Sequence, residues 1–522
     1  MPTPMTWPQG QIFPTFGIPI DNMDAFTTED TPHPWLIALL ALQGIVNRER
    51  PRIFMYDKNA GEGADTWAQT YGITYTIRPY MEIFRKYAGE ADGFVLYSTQ
   101  KSHHYVNLAG SVASPINGIP VTREVMDALI DSGIDLPLLY DLTDLPYTTA
   151  EEIYTYLYEA FWHKNTHRLI LSQRPRMAAY IRDLAAATGA AIVFLNCRDS
   201  RSEQAVYRRF LNDMEPGAAI ATGWYTEERS GITTATSAGL STVPSDFFAN
   251  STVYAQRIPI RIRDIPPTPP LENKMYVAIF VSDGDNIQYV EHYMRQYWDK
   301  NSDTRGKVAV NWTISPSCAD TCPGMMNYYY DSATHKDCFV SGPSGMGYAM
   351  PCNTLWEDIP TGNYVEDLEK FGKYAALSNR YFERCGLKAV TVWDNMTDEQ
   401  REVYTKNAPS LYGLTVQLFT DDRESITSVH NGIICKQLTP CYTATREHLT
   451  RVLNREAATR FDGTVPHFVA AQMTVWGKIT LNDLYEVEQE LKAQYNGMVE
   501  FVRADHFFQL YNEHLKQKGE YT

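Results

Sequence analysis

Two carboxylates and an amide, Asp283, Asp285 and Asn286, crowd the end of the apolar run Met275-Tyr-Val-Ala-Ile-Phe280. A turn there would need only Gly284, so the acids invite a chemical reading. Glycoside hydrolysis uses two carboxyl groups, one protonating the leaving oxygen and the other acting as nucleophile or activating water. Asp394, behind a second apolar run at Ala389–Trp393, is the partner this reading pairs with Asp283, with the order of their roles open and Asp285 a third catalytic candidate. A plain structural reading makes Asp283-Gly284 a turn and Asp285 the cap of a helix starting near Asn286. Clustered carboxylates also suit hard cations, so a divalent metal on Asp283 and Asp285, with His506, would make a metal-dependent carbohydrate deacetylase. The stretch lacks the rest of a calcium loop, and the carboxylate-pair reading needs no cofactor.

Strands must carry these groups. Residues 274–522 are the usual size of a (β/α)8 TIM-like barrel. Eight strand-like runs occur in them: Met275–Val281, Val308–Ile314, Asp337–Val340, Ala389–Trp393, Leu414–Phe419, Gly432–Gln437, His467–Met473 and Met498–Val502. Helix-like stretches intervene at 363–385, 443–458, 480–495 and 506–517. In such barrels chemistry gathers at the carboxyl ends of the strands. Read in that way, Asn286, Asn311, Tyr348, Trp393, Lys436, Gln472, Arg503 and Asp505 are candidates for substrate binding, and Asp421 and Asp422 end the fifth run. Tyr348 sits in a glycine-rich loop, 342–351, which permits close backbone approach to a ligand. Trp393 beside Asp394 is a sugar-stacking candidate, whereas Trp312 and Trp476 could stack on sugars or fill the wall.

Upstream, Arg52–Tyr56, Gly93–Tyr97, Arg168–Leu171, Ala191–Leu195 and Ala218–Ala221 alternate with helix-like segments such as 177–187 and 200–213. That alternation predicts an α/β layered region over 1–256, as one domain or two. Pro34–Asn47 is apolar nearly all round, with proline in the first turn, which predicts a core helix. No GxGxxG or GxxxxGK[ST] follows a strand, so no nucleotide fingerprint is present. The proline-rich segment 257–273 reads as an extended linker. Trp224 and Glu227 are the upstream residues that could reach the barrel mouth.

With 44% hydrophobic and 21% charged residues, the composition is that of a globular chain. A net charge of −16 argues against nucleic acid or an anionic membrane as partner, and favours neutral or cationic ligands such as a carbohydrate. No window approaches the length of a membrane span, and Met1–Pro8 lacks the regions of a signal peptide. Seven of the eight cysteines lie between Cys318 and Cys441. Disulfides in an oxidising compartment and scattered buried thiols both fit that crowding, and localisation and oligomeric state stay open.

Gly345-Met-Gly-Tyr-Ala-Met-Pro351 resembles the signature of the GxGYxYP family of glycoside hydrolases, with Met350 where the family has tyrosine. Ser282–Asn286, Asn311–Pro316, Ser341–Ser344, Phe501–Phe507 and, upstream, Leu42–Asn47 and Gly223–Glu227 also resemble that family, so the likeness spans nearly the whole chain. The resemblance implies an α/β N-terminal region joined to a barrel-like C-terminal domain, often in secreted bacterial proteins that process polysaccharides. With it, the residues are read as those of a hydrolase of glycosidic bonds in an oligo- or polysaccharide. A metal-dependent deacetylase and a non-catalytic glycan-binding protein are the alternatives.

Overall fold

The computed structural model describes residues 4–353, 362–418 and 427–519. Asp421, Asp422 and Phe419 lie outside the described residues. The chain forms two compact units, the first comprising Met1–Pro259, Glu291–Tyr293 and Ser317–Tyr328, the second Ile260–Val290, Met294–Pro316 and Tyr329–Thr522. The divide at Pro259 falls in the proline-rich segment, which carries no helix or strand from 257 to 273.

The first unit is α/β, with three small parallel sheets. Met23–Thr27 runs between Ile53–Tyr56 and Tyr75–Ile77; Gly93–Leu96 runs between Gly118–Val121 and Leu138–Asp141. The third sheet has the order Thr242–Pro244, Ile220–Gly223, Leu169–Ser172, Ala191–Val193. The helix His33–Asn47 is buried from Trp35 to Asn47, as its all-round apolarity requires. A Cβ on Gly44 would lie 2.2 Å from the Asp183 carbonyl oxygen, so glycine is what lets this helix press against Arg182–Thr188.

All eight runs expected in the second unit contain strands. We number them β1 (Met275–Val281), β2 (Val310–Thr313), β3 (Asp337–Val340), β4 (Ala389–Val392), β5 (Gly413–Val416), β6 (Ile433–Gln437), β7 (His467–Met473) and β8 (Val499–Phe501). Their ladders are parallel and form two sheets, β3-β2-β1-β7 with β8 on β1, and β4-β5-β6 with Thr427–His430 antiparallel on β6. The expected eight-stranded TIM barrel is not confirmed: no closed barrel is detected in these ladders. β7 pairs with β1 along all seven residues, Met275 to Val281, leaving no gap between first and seventh strands. β2 meets the other edge of β1 only at Phe280 and Val281, and β8 takes the free half of that edge at Met275–Val277. Isolated bridges Ser341↔Val390 and Leu438↔Ala470 run between the two sheets.

Alternate residues of several strands, among them Tyr276, Ala278, Phe280, Cys338, Val340, Phe468 and Ala470, join one apolar cluster with Phe507 and Phe508 of the helix Ala504–Lys518. This period of two directs one face of each strand into a common core. All eight cysteines are free thiols in buried positions. No described helix is long and apolar enough to cross a membrane.

Candidate active site

After β1 the chain passes through Ser282 into Asp283, whose φ of 74° is left-handed. A non-glycine residue there costs on the order of 1 kcal/mol and marks a constrained position. The neighbouring glycine has a different task from the expected turn. A Cβ on Gly284 would sit 1.8 Å from the Thr313 carbonyl oxygen, and the Gly284 N–H donates to Thr313 Oγ1 at 2.9 Å, so glycine lets the loop close onto the end of β2. Asn286 caps the short helix Ile287–Glu291, its Oδ1 accepting the Tyr289 N–H at 3.0 Å. Asp285 is buried beside that turn.

Neutral donors surround the Asp283 carboxylate. The Ser282 hydroxyl donates to Oδ2, the Tyr442 hydroxyl donates to the same oxygen at 3.4 Å, and the Trp476 side chain also hydrogen-bonds to the carboxyl group. Burial raises the acid above its ordinary value, and these hydrogen bonds only partly offset the rise. Burial and the Asp283 charge push the Tyr442 phenol up to about 12. Edge-to-face aromatic contacts extend from this acid: Tyr442 meets Trp393 with ring centroids 6.0 Å apart, and Trp393 meets Tyr348 at 6.0 Å. On the other flank Trp476 meets Tyr289 at 5.9 Å. Asp394, next to Trp393 at the end of β4, is wholly buried, and burial together with its charge pushes the Cys352 thiol up to about 11.

The glycine-rich loop is a buried, tightly bonded part of this wall. The Ser344 hydroxyl donates to the Ala349 carbonyl at 2.7 Å and accepts the Trp393 N–H at 3.0 Å. Tyr404 donates to the Ser344 carbonyl at 2.7 Å, and Tyr374 to the Gly347 carbonyl at 2.8 Å. A Cβ on Gly342 would meet Thr391 Oγ1 at 1.9 Å. Tyr348 is 3% exposed and Met350 fully buried, so the loop's visible work is to seat Trp393.

The remaining candidates are spread more widely. Gln472 is buried in β7 opposite Phe280, one residue before Met473, whose carbonyl accepts the Ser282 N–H at 3.1 Å. Asn311 is fully buried as a clasp: its amide donates to the Ile279 carbonyl at 3.0 Å and its oxygen accepts the Ala504 N–H at 2.6 Å. Trp312 fills the wall and donates to Asp337 Oδ1 at 2.9 Å. Arg503 forms a two-point pair with Asp505, at 3.0 and 2.6 Å, and donates to the Asp337 carbonyl at the beginning of β3. The register Val281↔Trp312↔Phe339 sets Asp283 level with Ser341, four residues beyond Asp337. That places the pair about 13 Å from Asp283 along the strand direction, toward the opposite strand ends. His506 Nε2 contacts the Pro266 carbonyl at 2.8 Å, in the same part of the chain.

Lys436 lies among Thr427, Tyr511 and Glu456; burial pulls its ammonium down to about 7 against the opposing pull of Glu456. Trp224 and Glu227 belong to the first unit, where Glu227 caps Glu228–Ser237 by accepting the Arg229 and Ser230 N–H groups. Sequence reasoning missed Tyr442, which touches Asp283 across 159 positions of chain. Only its place shortly after a strand run could have hinted at it.

Another titratable cluster lies within the first unit, where ligand-type atoms of Glu62, Glu291 and His292 fall within 4.8 Å of one another. His292 Nδ1 is 2.8 Å from Glu62, its Nε2 is 3.2 Å from the Phe247 carbonyl, and Glu291 accepts the Ala249 N–H at 3.0 Å. Burial, which favours the neutral ring, is outweighed by Glu291 and Glu62, and the imidazole is pushed up to about 10. Burial raises the Glu291 carboxyl as well, so within the cluster the imidazole is paired chiefly with Glu62.

Comparison with known proteins places this architecture. A crystal structure described as "a putative hydrolase" from Bacteroides thetaiotaomicron shares the fold, with a TM-score of 0.76 over 98% of each chain at 20% identity. A polysaccharide deacetylase structure from Mycobacterium smegmatis, described as putative, overlaps 50% of this chain and 96% of its own, at TM-score 0.31 and 12% identity. A PuuE allantoinase structure overlaps 50% and 99%, also at 0.31 and 12%. No curated protein matches by sequence. Residues 273–512 match the family model "GxGYxYP putative glycoside hydrolase C-terminal domain", and residues 167–256 match "GxGYxYP third domain". The chain belongs to the GxGYxYP family.

Proposed function

We propose that the protein is a hydrolase that cleaves glycosidic bonds in an oligo- or polysaccharide, with Asp283 as the general acid. The observation that carries this reading is the setting of Asp283, a carboxyl at a strand end in a left-handed conformation, raised by burial and bonded by neutral donors. A general acid must hold its proton near neutral pH, and desolvation without a cationic partner is one way to secure that. Asp283 would give its proton to the glycosidic oxygen as the C–O bond breaks. Asp394 would attack the anomeric carbon or take a proton from the attacking water. If Asp394 attacks, water then displaces it from the anomeric carbon and returns one proton to Asp283. If Asp394 instead takes the water's proton, the hydroxyl ends on the anomeric carbon and Asp283 is reprotonated as Asp394 releases that proton to solvent. The family's description and the aromatic groups around the acid support a sugar as substrate.

We further read the two sheets as one barrel-like wall of seven strands, β1 to β7 in order, joined through the Ser341↔Val390 and Leu438↔Ala470 bridges. In that arrangement Asp283 and Asp394 share the carboxyl-end face.

The test is product release from a panel of glycosides and acetylated glycans by wild type and Asp283→Asn, each with and without chelator. Sugar release that ignores the chelator and disappears in the variant is expected. Acetate release that the chelator stops would replace this reading with a metal-dependent deacetylase, and sugar binding without turnover would replace it with a glycan-binding protein.

A further inference from the structure

Trp476 is the only tryptophan among the described residues that is exposed, at 56%, while its indole N–H bonds to the largely enclosed Asp283. The exposed indole therefore stands beside the half-buried acid, where its free face would meet a ligand bound at Asp283. The ring is held in place by its surroundings. Thr474 Oγ1 accepts the Trp476 N–H of the main chain at 3.2 Å, and the Thr474 N–H donates to the Thr443 carbonyl at 2.9 Å. The Lys478 and Ile479 N–H groups both donate to the Ala444 carbonyl, at 2.7 and 3.1 Å. A Cβ on Gly477 would lie 2.6 Å from that oxygen, so the turn carrying the indole is pressed onto the neighbouring segment. One side of the indole rests against Tyr289.

Resting on the reading of Asp283 as a glycosidic acid, we propose that Trp476 is a positioning residue whose exposed face carries a pyranose ring on the leaving-group side while its N–H orients the acid. A pyranose presents a flat set of C–H bonds that suits an indole face, and it is uncharged, in keeping with a chain of net charge −16. Because the same indole holds both the sugar ring and the proton donor, the glycosidic oxygen of that ring is brought to Asp283. A fixed platform spares the ordering cost that a mobile one would add on binding.

The experiment compares the full-length wild type with Trp476→Ala and Trp476→Phe, reading oligosaccharide binding by intrinsic fluorescence alongside KM, kcat and the pH profile, with thermal melting as the check on folding. Trp476→Ala is expected to weaken binding by about tenfold or more, on the scale of lost aromatic stacking. Trp476→Phe keeps the face and loses the N–H, so KM should stay within about threefold while the alkaline limb of the profile moves up, because a bond that lowers the Asp283 pKa is gone. Sugar turnover with unchanged KM, kcat and limb in both variants would overturn this inference and leave the hydrolase standing. Sugar binding lost in Trp476→Ala but never followed by turnover would uphold the platform and overturn the hydrolase. A wild type that binds no oligosaccharide in the panel would overturn both.

Discussion

Asp283 and Asp505 both stand just past a strand of the second unit, and the chain spends them in opposite ways. Asp505 is clamped by the Arg503 guanidinium through two hydrogen bonds, with 9% of the Arg503 and 4% of the Asp505 side chain exposed. Asp283 meets a serine hydroxyl, a phenol and an indole. The first arrangement pairs the carboxylate with a cation at two points and makes it part of the scaffold. The second leaves a carboxyl whose charge is poorly supported and whose proton is therefore retained to higher pH. Enclosure alone does not tell a scaffold acid from a chemical one; the charge of its partners does.

The sharpest way to break this comparison is Asp283→Asn, which should cost roughly 10²- to 10⁴-fold in turnover, the usual contribution of a general acid. Its effect on folding should have the reverse sign. Because the folded state holds the Asp283 pKa above the ordinary 3.8, its contribution to stability is present below that value and lost as pH rises through the raised value. Urea unfolding at neutral pH should then find Asp283→Asn as stable as wild type or more so, with wild type regaining ground as the pH falls toward 4.

Asp505→Ala should do the converse. It leaves Arg503 buried without its carboxylate and should cost about 3–5 kcal/mol in urea unfolding, with turnover per folded molecule unchanged. A stable but inactive Asp505→Ala would move Asp505 into the site and end the contrast. Asn311→Ala should follow at about 1–3 kcal/mol, since the Ala504 N–H would lose its buried acceptor. Glu227→Ala should cost about 1 kcal/mol of stability by removing a helix cap and should leave KM unaltered. A raised KM there would return Glu227 to substrate binding.

The strand runs of the second unit were legible because buried parallel strands are short continuous apolar runs between helical stretches. In the first unit, Met23–Thr27, Tyr75–Ile77, Gly118–Val121, Leu138–Asp141 and Thr242–Pro244 escaped notice, since such short runs carry little periodicity. The edge that β8 joins was not legible either. It depends on β2 meeting β1 only at Phe280 and Val281, a matter of register and not of composition. In the site, Asp283 stood out by residue type alone, yet the features that distinguish it from Asp505 come from Tyr442 and Trp476, far along the chain. The Arg503–Asp505 clamp, by contrast, lay within three positions, and a cation beside an acid near an apolar strand could have been read as a pair.

The central claim is that Asp283 delivers the proton, and the pH dependence of kcat/KM in wild type and Asp283→Asn tests it most directly. The account predicts that wild-type activity falls as pH rises through the raised Asp283 pKa and that the residual activity of Asp283→Asn is flat across the same range. An alkaline limb that persists unchanged in Asp283→Asn would contradict it.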